Sequence, residues 1–223
     1  MGADCKRQIS AEPSRMVTLP FNLLGFAFQQ GVDWLESGFG TAAAALAQRH
    51  AEVAAELQAY EAGVAAGGAR IGEWEDGVRL WEQDQLLALQ MDDLEESLMD
   101  LRKAYVLAAY HHWERGARRW TRLGSHAKHL KLVAVTRELG YPIDARLTGL
   151  YDLVNTLKHN SGVWASKLAS SWPAVLKGDP AARPGLDWYH LVELDDRDVH
   201  EVCSIVRASG PTADHLPARP DPP

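Results

Sequence analysis

Apolar residues along this chain of 223 residues recur at helical spacings almost throughout. From Pro20 to Leu35, the residues Phe21, Leu24, Phe28, Val32 and Leu35 fall near one helical face, which predicts a helix covering one end of a core. Gly38 and Gly40 are expected to break the chain, and Thr41 then reads as the N-cap of a long alanine-rich helix to about Gly63. Its larger residues Leu46, Val53, Leu57, Tyr60 and Val64 make a heptad-like seam with His50 inside it. Gly63, Gly67, Gly68 and Gly72 mark a turn. A second long helix is expected from near Trp74 or Asp76 to about Leu123, with Leu87, Met91, Leu94, Leu98, Leu101 and Tyr105 alternating steps of four and three. Two such helices joined by a glycine-rich turn predict an antiparallel hairpin. Beyond the seam, Tyr110, Trp113, Ala117 and Trp120 form a further stripe, so this half of the helix packs on two sides.

The remainder reads as shorter elements. A third helix is expected over His126–Leu139, closed by Gly140-Tyr141-Pro142, and a fourth over Ile143–His159. The fourth carries a buried stripe of Leu147, Leu150, Tyr151, Val154 and Leu157, with Gly162 as its stop signal. Trp164–Leu176 reads as a short helix interrupted by Pro173. Trp188–Leu194 has the look of a short strand, and Asp195 or Asp196 is placed to cap a last helix over Arg197–Val206. The fold class is therefore all-α, a helical bundle built on a long antiparallel hairpin with room for one short strand near the C-terminus. The expected organisation is a leader and covering helix over 1–40, a helical domain over 41–207, and a disordered Pro-rich tail over 208–223. Residues 1–15 read as a loose leader, with Met16 as an alternative start.

Composition sharpens this picture in three places. An apolar fraction of 46% with 24% charged residues fits a globular chain with a sizeable core, and eight Trp suggest rings filling gaps between helices or at an interface. The formal net charge of −7 argues against a strongly cationic nucleic-acid coat protein. Charge is segregated, however: acids concentrate over 73–100, while Arg115, Arg118, Arg119, Arg122, Lys128 and Lys131 crowd together. The two cysteines, Cys5 and Cys203, lie far apart, which predicts a reducing compartment, and Cys203 reads as a buried structural thiol. No secretory signal is evident, and the longest apolar run, around Phe21–Phe28, is far too short to span a bilayer; a cytoplasmic protein is expected, with no membrane partner.

Candidate chemistry sits on two helices. Asp152, Asn155 and His159 share a polar stripe on the fourth helix. His111, Glu114 and Arg118 share one on the second, in the string Glu114-Arg115-Gly116-Ala117-Arg118-Arg119. The plain interpretation of Glu114 and Arg118 is an ordinary i,i+4 helix ion pair, worth a few tenths of a kcal/mol. The functional interpretation is that antiparallel packing sets that stripe against Asn155 and His159 in one polar cleft. His111-His112 and His126-x-x-His129 lack the acidic or Cys partners of a tetrahedral set, so no metal is expected. The chain has no nucleophile elbow, phosphate-cradling glycine loop or dinucleotide fingerprint, and no cofactor is expected.

A polar Asn-x-x-x-His on the last core helix, Asn155 to His159, resembles the HEPN family, whose hallmark is Arg, a polar residue, a short spacer and then His. Glu114, Arg118 and Arg119 are similar to a second motif of some members, Glu-x-x-x-Lys-Arg, and Leu157-Lys158-His159-Asn160-Ser161-Gly162 resembles a Lys-His-x-x-Gly corner found in others. The likeness covers roughly residues 41–206. Where the family pattern has Arg, this chain has Val154, on the buried stripe. The resemblance implies two readings. In one, a non-catalytic or weakly active HEPN-like protein binds a protein partner or RNA within a prokaryotic toxin–antitoxin or phage-defence pair; the missing Arg favours this one. In the other, the chain is a metal-independent endoribonuclease. There His159 is the general acid/base, Asn155 orients it or the phosphate, and Arg118, Arg119 or Lys158 hold phosphate. Glu114 and Asp152 would orient these groups. The resemblance also implies a homodimer with its motifs facing one cleft.

Overall fold

The computed structural model describes residues 21–177 and 186–216. The expected leader over 1–15, the alternative start at Met16, Cys5, and the tail beyond Leu216 lie outside them. The described chain is an all-α bundle on a long antiparallel hairpin, as its periodicity predicts. Helix α1 spans Leu23–Ala65 and α2 spans Gln83–Thr121; α3 is His129–Glu138, α4 Leu147–His159, α5 Gly162–Ser171, α6 Trp188–Leu191 and α7 Asp196–Arg207. A small hairpin, β1 (Gly72–Glu75) and β2 (Val78–Glu82), joins α1 to α2.

Three expectations about the hairpin need correction. Gly38 and Gly40 do not break the chain, because α1 runs through both for 43 residues. A glycine inside a helix costs only about 1 kcal/mol relative to alanine, which the seam with α2 outweighs. Thr41 is not a cap; its hydroxyl donates to the Ser37 carbonyl one turn back (3.0 Å). The cap is Asn22, whose side chain accepts from the Gly25 amide (3.0 Å). Gly31 serves close approach, since a Cβ there would stand 2.2 Å from the His112 ring. Trp74 and Asp76 lie in strand and turn rather than helix. Asp76 and Gly77 both take positive φ (48° and 78°), the backbone of the tight two-residue hairpin turn that an Asp-Gly pair favours.

Glu82 ties the hairpin to the stalk. Its carboxylate is buried and accepts from Arg70 (3.1 and 3.2 Å), Arg79 (3.0 Å) and the Tyr60 hydroxyl (3.1 Å). Burial pushes this carboxyl up, and the bonds from Arg79 and Tyr60 with the Arg70 charge overcome that and hold it below the usual range. Glu82→Gln is therefore expected to leave two guanidinium groups without their anion and to loosen the hairpin. Hydrogen exchange should show faster amides in β1 and β2 with α4 and α7 unchanged; protected strands in the variant would refute this role.

The core lies at the other end, where α7, α3 and α4 pack around the lower half of the hairpin. Helix α7 starts where expected, on Asp195, which accepts from the Asp198 amide (3.0 Å) while Asp198 accepts from the Asp195 amide (2.7 Å). Its apolar face buries Val199, Val202, Cys203, Ile205 and Val206. Arg102–Asp196, Arg207–Asp33 and Arg207–Glu36 pairs, each at 2.8 Å, fasten it to both hairpin helices. The segment expected as a strand, Trp188–Leu194, is instead the single turn α6. The Asp187 side chain accepts from Tyr189 and His190 amides, and only Val192 makes a β-bridge, with Leu176. The tail is ordered as far as it is described. Ser209, Gly210 and Pro211 are buried, the Ala213 carbonyl accepts from the Asn22 amide (2.7 Å), and Gln29 bonds the Pro211 carbonyl (3.1 Å). Among the described residues no helix is long and apolar enough to cross a membrane.

Candidate functional site

Helix α4 runs antiparallel to α2, and that direction decides where the candidate residues stand. Tyr110 and Tyr151 meet at 6.0 Å between ring centroids. At one end Ser209 joins the helices: its hydroxyl accepts from the Asp144 amide (3.1 Å) and its carbonyl from the Trp113 indole (2.6 Å). At the other, the Asn160 side chain accepts from the Trp188 amide (2.6 Å). Beside it Tyr189 donates its hydroxyl to Asp100 (2.9 Å), and its carbonyl accepts from Lys103 (2.8 Å). From the tyrosine pair, Arg118 lies eight residues one way along α2 and His159 eight residues the opposite way along α4. At 1.5 Å per residue the two stand on the order of 20 Å apart. The Glu114–Arg119 string and the Asn155–His159 string occupy different ends of the bundle and do not meet in one cleft.

Each group has a local role. Glu114 and Arg118 form the ordinary one-turn ion pair (2.9 Å), with His111 Nδ1 3.4 Å from the same carboxylate. Arg118 Nε is buried without a hydrogen-bond partner among the described residues. Asn155 is buried and donates to the Tyr151 carbonyl of its own helix (2.7 Å). Asp152 is buried and accepts from the Ser171 hydroxyl (3.0 Å), and burial raises its carboxyl above the usual range. Val154 is fully packed in the core. The side chains of Lys158 and His159 are exposed and make no hydrogen bond among the described residues.

Two assemblies stand out. The first is internal. His129, from the second expected histidine pair, is buried; its Nδ1 lies 3.0 Å from the Tyr110 hydroxyl, and its ring stacks on Tyr151 at 4.2 Å. Burial lowers its pKa to about 4 and keeps the imidazole neutral; burial, then the Glu114 charge, raises the Tyr110 hydroxyl. The sequence signal for this group was the aromatic stripe on α2, which carries no hint that a histidine completes it.

The second assembly is the basic corner where α2 ends, Arg122 turns in the left-handed region (φ 55°), and the chain enters α3. Arg115, Arg119, Arg122, Lys128 and Lys131 are all exposed, and none pairs with an acid among the described residues. Beside them a cleft of about 270 Å³ opens between the first turns of α1 and the last of α2, lined by Leu24, Phe28, His112, Arg115, Arg119 and Trp120 among others. Its floor is rigid. His112 Nε2 bonds the Phe28 carbonyl (2.9 Å), its ring stacks on Phe28 (5.1 Å), and the Phe28 ring meets Trp120 edge-on (5.0 Å). Gly116 allows that packing, since a Cβ there would stand 2.6 Å from Trp120. Among the described residues no group of three His, Cys, Asp or Glu is placed to hold a metal ion.

The chain matches no protein-family model, no curated protein and no solved structure.

Proposed function

We propose that this chain is a non-catalytic, HEPN-like helical protein that binds RNA at the corner between α2 and α3, as the binding component of a toxin–antitoxin or defence pair. One observation carries the reading: five exposed cations, unpaired among the described residues, gather at one end of a chain whose net charge is −7. Surface acids elsewhere repel a polyanion, so binding is confined to that face, where displacing condensed counterions supplies the affinity. What speaks against catalysis is separation. A general acid/base on His159 has no phosphate-holding guanidinium from Arg118 or Arg119 within reach, and Val154 fills the core where the family pattern has Arg. The endoribonuclease alternative retains two supports, the exposed imidazole of His159 and the exposed Lys158 next to it in sequence, neither side chain engaged among the described residues.

Fluorescence anisotropy with a labelled single-stranded RNA tests this. The log–log salt slope is expected near −3, as for four to five phosphates neutralised on a single strand. Arg122→Glu with Lys128→Glu and Lys131→Glu is expected to weaken binding at least tenfold. With chelator present the RNA should stay intact, for wild type and His159→Ala alike. Binding unmoved by salt or charge reversal refutes the reading, and cleavage abolished by His159→Ala replaces it with the ribonuclease.

A further inference from the structure

We propose that the cleft between α1 and α2 is a pocket for one unpaired nucleotide of the bound RNA, base and phosphate together; this rests on the RNA-binding reading above. The cleft combines two chemistries that the rest of the corner keeps apart. Leu24, Ala27 and the edges of Phe28 and Trp120 supply apolar wall, and the volume of about 270 Å³ suits a single small ligand rather than a continuous duplex. Arg115 and Arg119 stand one helical turn apart on the same rim, both exposed and without an acid partner among the described residues. Two guanidinium groups at that spacing offer forked donors to one phosphate while their planar faces stay free to stack on a base. Arg122, Lys128 and Lys131 are not among the cleft's lining residues; they meet only the backbone of the strand.

The wall is preformed. The bond from His112 to the Phe28 carbonyl and the stacked and edge-on rings beneath it fix the floor, so little ordering of the protein opposes binding. Ala27 is exposed at the wall, where a larger side chain would occupy the cleft without entering the core.

The test is calorimetric titration of the full chain with AMP, adenosine and inorganic phosphate separately. AMP is expected to bind at least tenfold more tightly than either fragment. Ala27→Trp, and separately Arg115→Ala with Arg119→Ala, are expected to remove AMP binding with unchanged thermal melting. In wild type, AMP should compete away part of the RNA affinity. Phosphate binding as tightly as AMP would reduce the cleft to an anion patch and overturn the proposal, as would AMP binding undisturbed by Ala27→Trp. If AMP fails to bind while charge reversal at Arg122, Lys128 and Lys131 still releases RNA, the nucleotide pocket is wrong and the RNA reading stands. If AMP binds the cleft but RNA does not bind the chain, the RNA reading is wrong and the pocket as a subsite of RNA falls with it.

Discussion

Trp113→Ala is expected to cost about 3–5 kcal/mol of folding stability. The ring is fully buried. It faces Tyr110 (5.7 Å) and His129 (5.4 Å), and its indole N–H donates to the Ser209 carbonyl at 2.6 Å. Truncation opens a cavity among elements already fixed by other contacts, so little of the space can close. It also strands the Ser209 carbonyl, where the chain continues from α7 along the start of α1, which adds an unpaired buried acceptor. At about 2–4 °C per kcal/mol for a chain of this size, the melting temperature should fall roughly 10 °C. Trp34→Ala makes the control, because that ring is 69% exposed; its effect should stay within about 0.5 kcal/mol. Urea unfolding followed by circular dichroism checks both, and a loss below 1 kcal/mol at Trp113 would refute this account of the core.

Acid should unfold the protein through His129. In the folded state the imidazole accepts its proton only near pH 4, whereas in the unfolded chain it does so near its ordinary 6.5. Between these values the unfolded state binds more protons, so falling pH favours it. The stabilisation from keeping His129 neutral is complete above pH 6.5 and lost progressively down to about pH 4, a change of about 3 kcal/mol. The groups facing the ring are Tyr110, Tyr151, Trp113 and, at longer range, Glu114, whose charge works against the burial effect. Other groups titrate nearby: Glu36 and Asp144 are held low by arginine bonds, and Asp152 and Asp198 are raised by burial. The difference between wild type and His129→Leu cancels those contributions. Unfolding free energies measured from pH 7 to pH 4 should converge between the two proteins, and parallel curves would show that His129 does not carry the effect.

How much of this was legible in the sequence depended on whether the signal was local. The Asp195 cap and the buried stripe of α4 were, because a capping side chain and a helical face each involve neighbours in sequence. The Asp76–Gly77 turn was equally local, yet the strong heptad pattern beyond it drew the helix boundary too early. Gly38 and Gly40 misled for the opposite reason: their intrinsic cost is real, and packing along the seam outweighs it. The tail's Pro and Asp content gives no hint that Asn22 and Gln29, nearly two hundred residues earlier, hold its backbone. The candidate cleft failed on register. Antiparallel packing of α2 and α4 is the expected arrangement, but periodicity does not tell which residues come level, and with Tyr110 beside Tyr151 the strings carrying Arg118 and His159 run to opposite ends. The basic corner, by contrast, could be read as a run of cations, since such a run survives any packing that leaves it at a surface.

The unbroken α1 also governs how this architecture can change its reach. The helix extends roughly 64 Å, and beyond Ala43 it runs along α2, with Tyr60 reaching Glu82 of the small hairpin. Deleting one residue there would rotate everything past it by about 100° and turn Val53 away from its partner face. Removing seven residues from α1 together with seven from α2 would keep the faces matched and draw the hairpin inward by about 10 Å. Spacing between the basic corner and the exposed Trp74 and Leu80 at the far end can thus drift only in paired steps of about that size, like a ruler marked in heptads.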